Sequence, residues 1–199
     1  MPKVTEEHRV ARRQQIVDAA RTCVGEQGFH KTTMADVIRE SGLSAGAVYG
    51  YFKGKDEIVA AIADDALSSV DLLFQEMLAA EGPLTPAAAL RKTLDFVVSL
   101  AERHGTDVTR IGVQAWAEAL HNEVIFATAS AKYRMLRGHF VDVVRRAQAD
   151  GTIAADANPE YVGQVMFGLI PGFILQRLIL GDVTPESYSS GLAALLDKP

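Results

Sequence analysis

The chain has 199 residues, and 48% of them are hydrophobic, which is ample for a packed core in one domain or two. Its net charge of −5 argues against nonspecific nucleic-acid binding by the chain as a whole. The single cysteine, Cys23, excludes an internal disulfide and a CxxC redox or zinc motif. Charge is unevenly distributed, because residues 1–60 carry nine Lys/Arg against eight Asp/Glu while the remainder carries eleven against seventeen.

The spacing of apolar residues predicts an all-α fold, since alternating strand patterns are absent and Ala, Leu, Arg, Glu and Asp dominate. A first helix is expected to begin near Glu6 and to end near Gly28, with its apolar positions on one face. We expect an N-terminal three-helix domain over residues 1–55, a linking helix over about 56–80, and a C-terminal helical domain over 84–199.

Residues 32–55 contain two short helical patterns joined by a tight turn. Thr33 is placed to cap the first helix, and Asp36 follows three residues later, where a carboxylate completes a capping pattern. Gly42 ends this helix, because glycine adopts the left-handed conformation at little steric cost, and Ser44 offers a second cap. This arrangement is typical of a helix-turn-helix, although an ordinary pair of core helices, which is far commoner, gives the same pattern.

An apolar pattern from Ile58 to Leu78 follows the acidic residues Asp56 and Glu57 and predicts one helix of roughly 25 residues. Such a helix extends about 35–40 Å, which is too long for a three-helix unit alone, so we expect it to link two domains. Glu81-Gly82-Pro83 is the predicted linker that follows it.

Residues 160–181, which follow a predicted cap at Asn158, are apolar on nearly every side of a helix and need neighbours on two sides. The chain's own domain covers one side and a second copy covers the other, while Pro171 is expected to kink the helix or end a segment. The most apolar run, residues 165–175, is shorter than the roughly 20 residues of a membrane-spanning helix, so we expect a buried helix and no membrane partner. The predicted dimer interface comprises Val165, Gly168, Leu169, Gly172, Leu192 and Leu195.

Two His–carboxylate pairs raise the alternative of a helical metal-dependent enzyme: Glu118 with His121, and His104 with Asp107. A di-iron bundle needs two such motifs and two further carboxylates, and a lone pair is usually a surface accident. Cys23 falls on a buried helical face, which favours a core role over a nucleophile. We therefore expect no catalytic residue, no metal and no cofactor.

The N-terminal quarter resembles the TetR family of transcriptional repressors. The resemblance rests on TTMADVI at residues 32–38, SGLS at residues 41–44 and VYGYFKGKDE at residues 48–57, and it covers about residues 9 to 58. It implies a helix-turn-helix whose second helix enters the major groove of double-stranded DNA. Matching positions make Thr33, Ser44, Tyr49, Tyr51, Lys53 and Lys55 the candidate DNA contacts.

Short side chains at positions 45–50 set this chain apart from many relatives. Ala45 and Ala47 are expected to touch thymine methyl groups, and Gly50 is expected to let the backbone approach the DNA closely. Tyr51 is assigned equally to a DNA contact and to a ring packed on the domain surface.

The resemblance further implies a cytoplasmic homodimer that binds a palindromic operator and is released by a small-molecule effector, whose identity the sequence leaves unknown. A constitutive DNA-binding protein without an effector is the alternative. Residues that mix aromatic and polar groups are candidate effector contacts, although such residues are more often core or surface residues than ligand contacts: Trp116, His121, Tyr133, Arg134, Met166, Phe167 and Phe173.

Overall fold

A computed structural model describes residues 6–102 and 107–196 of the chain. These residues form ten α-helices and no strand, which confirms the predicted all-α fold. The helices are α1 Glu6–Gln27, α2 Met34–Ser41, α3 Ala45–Tyr51, α4 Lys55–Ala66, α5 Val70–Ala79, α6 Pro86–Glu102, α7 Val108–Ala119, α8 Glu123–Ala149, α9 Pro159–Ile179 and α10 Pro185–Leu196.

The chain divides into two compact units that differ from the predicted domains. The first unit contains residues 1–67 and 101–129, and the second contains residues 68–100 and 130–199. The segment 101–129, which the sequence assigned to a C-terminal domain beginning at residue 84, thus packs with the N-terminal helices.

Apolar residues from all the helices of the first unit share one core. Helices α1, α2, α3 and α4 contribute the largest part, and α7 and the start of α8 add Ile111, Ala119 and Ile125. The buried residues that the N-terminal helices and the α1–α2 turn supply are Ile16, Val17, Ala20, Val24, Phe29, Val37, Val48, Phe52, Ile58, Val59, Ala61 and Ile62. Because α7 closes this core, the helix-turn-helix is held by more than its own three helices.

The predicted linking helix over 56–80 is corrected by the structure, because α4 ends at Ala66 and α5 begins at Val70. Leu67 caps α4 by donating its N–H to the Ala63 carbonyl at 3.0 Å, and Ser69 stands at the N-cap of α5. Serine favours helix ends over helix interiors, because its hydroxyl competes for nearby backbone groups. The apolar periodicity runs through this break and therefore conceals it.

The predicted linker, residues 81–83, lies within the second unit and is held against α8, so it does not separate two domains. The Arg146 guanidinium donates to the carbonyls of Leu78 at 2.6 Å and Gly82 at 3.2 Å. Arg146 also binds both carboxylate oxygens of Asp150, which in turn accepts the Leu84 N–H at 2.8 Å. Hydrogen bonds from Leu84 and Arg146 hold the pKa of Asp150 below its usual value.

Helix α9 begins at the predicted Asn158 cap, whose side chain accepts from two backbone amides of the first turn, and it continues through Pro171 without ending there. Its buried side includes Gly163, Met166 and Phe173. Only 22% of its most apolar window is buried within the chain, so most residues of the expected buried helix are at least partly exposed. The whole helix is long and apolar enough to cross a membrane by length and composition alone, a test that core helices of water-soluble proteins also pass.

Candidate nucleic-acid interface

The cap of α2 matches the prediction in every hydrogen bond. The Thr33 hydroxyl accepts the Asp36 N–H at 3.2 Å, and the Thr33 N–H donates to the Asp36 carboxylate at 3.0 Å. The Thr33 hydroxyl and amide, together with Arg39, lower the pKa of Asp36 to about 2. Helix α2 is only eight residues long, and this capping box fixes its first turn.

The turn between α2 and α3 also follows the prediction. Gly42 has a φ of 66°, in the left-handed region, and its N–H donates to the Arg39 carbonyl at 3.3 Å. The Ser44 hydroxyl accepts the Ala47 N–H at 3.3 Å and caps α3. These bonds, together with Gln15 of α1, which donates to the Ser41 carbonyl at 2.7 Å, confirm a rigid helix-turn-helix.

Helix α3 has one buried face and one open face. Val48 is buried, Ala47 is half-buried, and Tyr51 packs against the core as one of its partly buried members. Residues on the open face are exposed, and Tyr49, which is 45% exposed, is its only aromatic side chain. This open face comprises Ala45, Gly46, Tyr49 and Gly50 of α3, together with Lys53, which follows the end of the helix.

Neither glycine of the open face is required by the protein itself. A Cβ built at Gly46 or at Gly50 meets no atom within 4 Å, and neither residue has a positive φ. Glycine in a helix is less stable than alanine by about 0.5–1 kcal/mol. Gly46 was missed by the sequence analysis, and only its exposure beside Gly50 identifies it as part of this face.

The lysine and tyrosine candidates differ in their surroundings. Lys53 is exposed, and its ammonium donates to the Tyr49 carbonyl at 3.1 Å. Lys55 is half-buried: its ammonium donates to the Phe29 carbonyl at 2.9 Å and lies 4.2 Å from the centre of the Phe29 ring. Lys55 therefore already has an internal role, and its contact with phosphate stays a prediction, as does that of Tyr51.

The predicted effector contacts are divided between the two units. Trp116 and exposed His121 belong to the first unit, and the other five belong to the second. Among those five, the rings of Tyr133 and Phe167 meet edge to face at 4.8 Å, and burial raises the pKa of Tyr133 to about 12. Arg134 is exposed, whereas Met166 and Phe173 are buried in the core.

The predicted dimer residues are mostly accessible. Val165 is 64% exposed and Leu195 is 84% exposed, although both are apolar. Gly168 is exposed with open space around its Cβ position, whereas a Cβ at Gly172 would lie 3.0 Å from the Tyr188 hydroxyl of α10. Gly172 therefore serves packing within the chain, and Leu169 and Leu192 are half-buried.

The metal alternative finds no support in residues 6–102 and 107–196, where no group of three or more His, Cys, Asp or Glu side chains could hold an ion. Glu118 lies 3.4 Å from the His30 ring, and it forms no such group with His121. His104, of the second pair, lies outside the described residues. Cys23 is buried, and burial raises the pKa of its thiol, as do nearby carboxylates.

The fold and this helix-turn-helix define a helical regulator of the class that carries an N-terminal DNA-reading unit. Two family models match the chain: bacterial regulatory proteins of the tetR family over residues 16–62, and the C-terminal region of BetI-type transcriptional repressors over residues 86–198. The chain belongs to the TetR family of bacterial transcriptional regulators.

Individual relatives agree with this assignment. An HTH-type transcriptional repressor of Mycobacterium tuberculosis is 37% identical over 119 residues, which span 52% of this chain and 64% of that protein, less than two thirds of its length. The regulator TtgR of Pseudomonas putida is 28% identical over 92% of this chain and 87% of its own. The solved structure of Salmonella enterica GusR has a TM-score of 0.74 at 23% identity, covers 98% of this chain and 96% of its own, and shows the fold alone.

Proposed function

We propose that this protein is a transcriptional repressor that binds a palindromic operator as a homodimer and leaves it when a small-molecule effector binds. The observation that carries the proposal is the open face of α3, which the helix-turn-helix holds rigidly and which no other described part of the chain covers. The major groove of B-DNA is wide enough to admit such a helix. Two copies of α3 related by a dimer axis then read two half-sites one helical turn apart.

The open face favours recognition by close fit. Alanine and glycine offer no forked donors for a guanine, so a bidentate arginine contact is absent from this helix. Ala45 supplies a methyl group for contact with thymine, and Ser44 and the main chain supply the polar contacts. Ala47 is half-buried and does not share the face of Ala45, so it is the weaker candidate for such a contact. Operator choice then depends on methyl contacts and on DNA shape.

Phosphate contacts position the helix rather than specify the sequence. Tyr49 and Lys53 are exposed on the open face, and Thr33 is exposed at the start of α2. Arg13 of α1 is less available, because its guanidinium lies 5.2 Å from the centre of the Phe52 ring. We assign the phosphate contacts chiefly to Thr33, Tyr49 and Lys53.

The exposed apolar side of α9 supports a homodimer. Val165 and Ile179 of α9, and Leu195 of α10, are each more than half exposed, and exposed apolar side chains grouped on a folded protein mark an interaction site. A second copy of the same helices covers this side by symmetry, because each copy presents the same patch. This pairing, in a cytoplasmic protein, accounts for the apolarity of α9 without a membrane.

The effector is assigned to the second unit, where Tyr133 and Phe167 offer aromatic surface and Met166 is a buried apolar residue of the same unit. For release to occur, the effector must bind the form that does not fit the operator more tightly than the form that does. Trp116 and His121 pack with the first unit and are weaker candidates than the five residues of the second.

Selection of duplex DNA from a random pool by the full-length protein tests the function. We expect recovery of one palindrome with half-sites about 10 base pairs apart, bound far more tightly than a scrambled duplex of equal composition. Affinity should fall steeply between about 50 and 200 mM salt, because phosphate contacts release counterions. Recovery of no common sequence, with equal affinity for the scrambled duplex, would instead indicate a constitutive architectural binder.

A further inference from the structure

The turn between α1 and α2, residues 28–33, is held by bonds from two other helices. The Phe29 ring is 3% exposed and belongs to the core of the first unit. Its carbonyl accepts a hydrogen bond from the ammonium of Lys55, the first residue of α4, at 2.9 Å. Its backbone N–H donates to Gln114 Oε1 of α7 at 2.6 Å. One residue of the turn thus connects α4 to the middle of α7.

Gln114 is the first of three polar contacts along α7 and its C-terminal end. Glu118, one helical turn later, lies 3.4 Å from the ring of His30, and Asn122 donates to the Asp56 carboxylate at 3.1 Å. Their spacing of four residues places them in one row. His30 is 83% exposed, so its pair with Glu118 contributes little, whereas the Gln114 bond is short and half-buried.

The turn leads directly into the helix-turn-helix, because its last residues precede and cap α2. Thr32 binds the Gly28 carbonyl through both its N–H, at 3.2 Å, and its hydroxyl, at 2.9 Å. The next residue is Thr33, the cap of α2, and α2 packs against α3. A Cβ at Gly28 would lie 3.4 Å from Gln114 Oε1, so the amide oxygen of Gln114 lies close to Gly28 as well as to the Phe29 N–H. We therefore expect the position of Gln114 to affect the start of α2.

We propose that Gln114 is a positioning residue for DNA binding: its bond to the Phe29 amide fixes the turn before α2 and makes α7 a part of the DNA-reading unit. The residue lies in the stretch that the sequence assigned to the C-terminal helical domain, far along the chain from the helix-turn-helix at residues 32–55. The inference rests on the proposed function, because it concerns the positioning of the same DNA interface.

Two substitutions separate the hydrogen bond from the packing of the side chain. Gln114→Met keeps the length of the side chain but removes the acceptor, so the Phe29 N–H loses its partner in a half-buried position. Gln114→Glu keeps an oxygen where Oε1 stands and is the conservative variant. We expect Gln114→Met to weaken duplex binding by about tenfold and Gln114→Glu to remain within about threefold of wild type.

The experiment uses the full chain and a fluorescent duplex recovered from a random pool by the wild-type protein. Anisotropy titration gives the dissociation constant of each variant, and hydrogen exchange of the peptide containing the Phe29 amide reports the bond itself. Gln75→Met is the matched control, because Gln75 is exposed on α5 in the second unit. Circular dichroism and thermal unfolding establish that each variant is folded.

Faster exchange at Phe29 and weaker binding in Gln114→Met, both restored in Gln114→Glu and absent in Gln75→Met, support the proposal. Binding within about twofold of wild type in Gln114→Met, or equal loss in Gln114→Glu, overturns it. If Gln114→Met fails to fold, Gln114→Asn, whose shorter side chain withdraws the oxygen, is compared with Gln114→Glu, and equal binding overturns the proposal. If the wild-type protein selects no duplex, the proposed function itself fails and this inference falls with it.

Discussion

Gly50 occupies a helix position where no neighbouring atom and no backbone dihedral angle of the chain requires glycine. The protein therefore retains a less stable helix at a surface residue of the open face. We propose that close approach of a DNA backbone or base edge accounts for this, because a methyl group there would separate the two surfaces. The same reasoning applies to Gly46, one helical turn earlier.

Gly50→Ala is expected to change stability and DNA affinity in opposite directions. The free energy of unfolding, measured with urea, should rise by about 0.5–1 kcal/mol, because alanine is the better helix former. The affinity for the selected duplex should fall by about tenfold, because the new methyl group prevents close contact. Gly138→Ala on α8, which also has open space around its Cβ position, is the control and should leave affinity unchanged. Tighter binding by Gly50→Ala would contradict the placement of α3.

Asp36 makes the stability of α2 depend on pH. Its pKa is lowered to about 2 by the Thr33 hydroxyl and amide and by Arg39, so its charged form stabilises the folded state. That contribution is complete above the unfolded pKa of about 4 and disappears as the pH falls from there through 2. The unfolding temperature of wild type should exceed that of Asp36→Asn at pH 6, and the difference should shrink toward pH 2. A constant difference across this range would exclude the carboxylate as the cause.

At the scale of elements, the contact between α8 and α9 depends on the absence of a side chain at Gly163. A Cβ at this position would lie 2.8 Å from Val141 Cγ2 and 3.1 Å from the Val141 backbone nitrogen. The backbone atom cannot move aside as a flexible side chain would, so the two helices must separate.

Gly163→Ala is therefore expected to lower the free energy of unfolding by about 1–3 kcal/mol, in spite of the higher helix propensity of alanine. Urea denaturation measures the change. Gly138→Ala on the same helix as Val141 meets no atom within 4 Å and should be neutral or stabilising. Equal effects of the two substitutions would show that Gly163 tolerates a methyl group and that α8 and α9 are less closely packed.

At the scale of the whole molecule, dimerisation through α9 and α10 predicts that one charge on the exposed apolar side is sufficient to separate the copies. Val165→Asp buries an unpaired carboxylate in the proposed interface, which is costly, yet in the monomer the residue is 64% exposed and tolerates the change. Sedimentation at micromolar protein should show a dimer for wild type and a monomer for Val165→Asp.

The same variant should lose most of its affinity for a palindromic duplex, since two half-sites need two linked copies of α3. Leu72→Asp, on the exposed side of α5, is the control and should remain a dimer. A wild-type protein that sediments as a monomer at every concentration tested would rule out the proposed interface.

The sequence by itself determined the local features of the candidate interface. The Thr33–Asp36 capping box, the left-handed Gly42 and the Ser44 cap join groups two to four residues apart, so a short window contains both partners. The Asn158 cap of α9, outside this interface, was predicted for the same reason. The all-α class and the family follow from patterns of similar range.

Only the tertiary structure showed that α7 packs with the N-terminal helices and completes the unit that holds α3. The Phe29 amide and Gln114 are 85 residues apart in the sequence, and Lys55 and Phe29 are 26 residues apart. Neither hydrogen bond can therefore be predicted from the spacing of residues within a short segment. The division of the predicted linking helix at residues 67–69 was hidden because apolar periodicity continues on both sides of it. Such contacts depend on which helices pack together, and packing is decided by the buried surface of the entire unit rather than by any single segment.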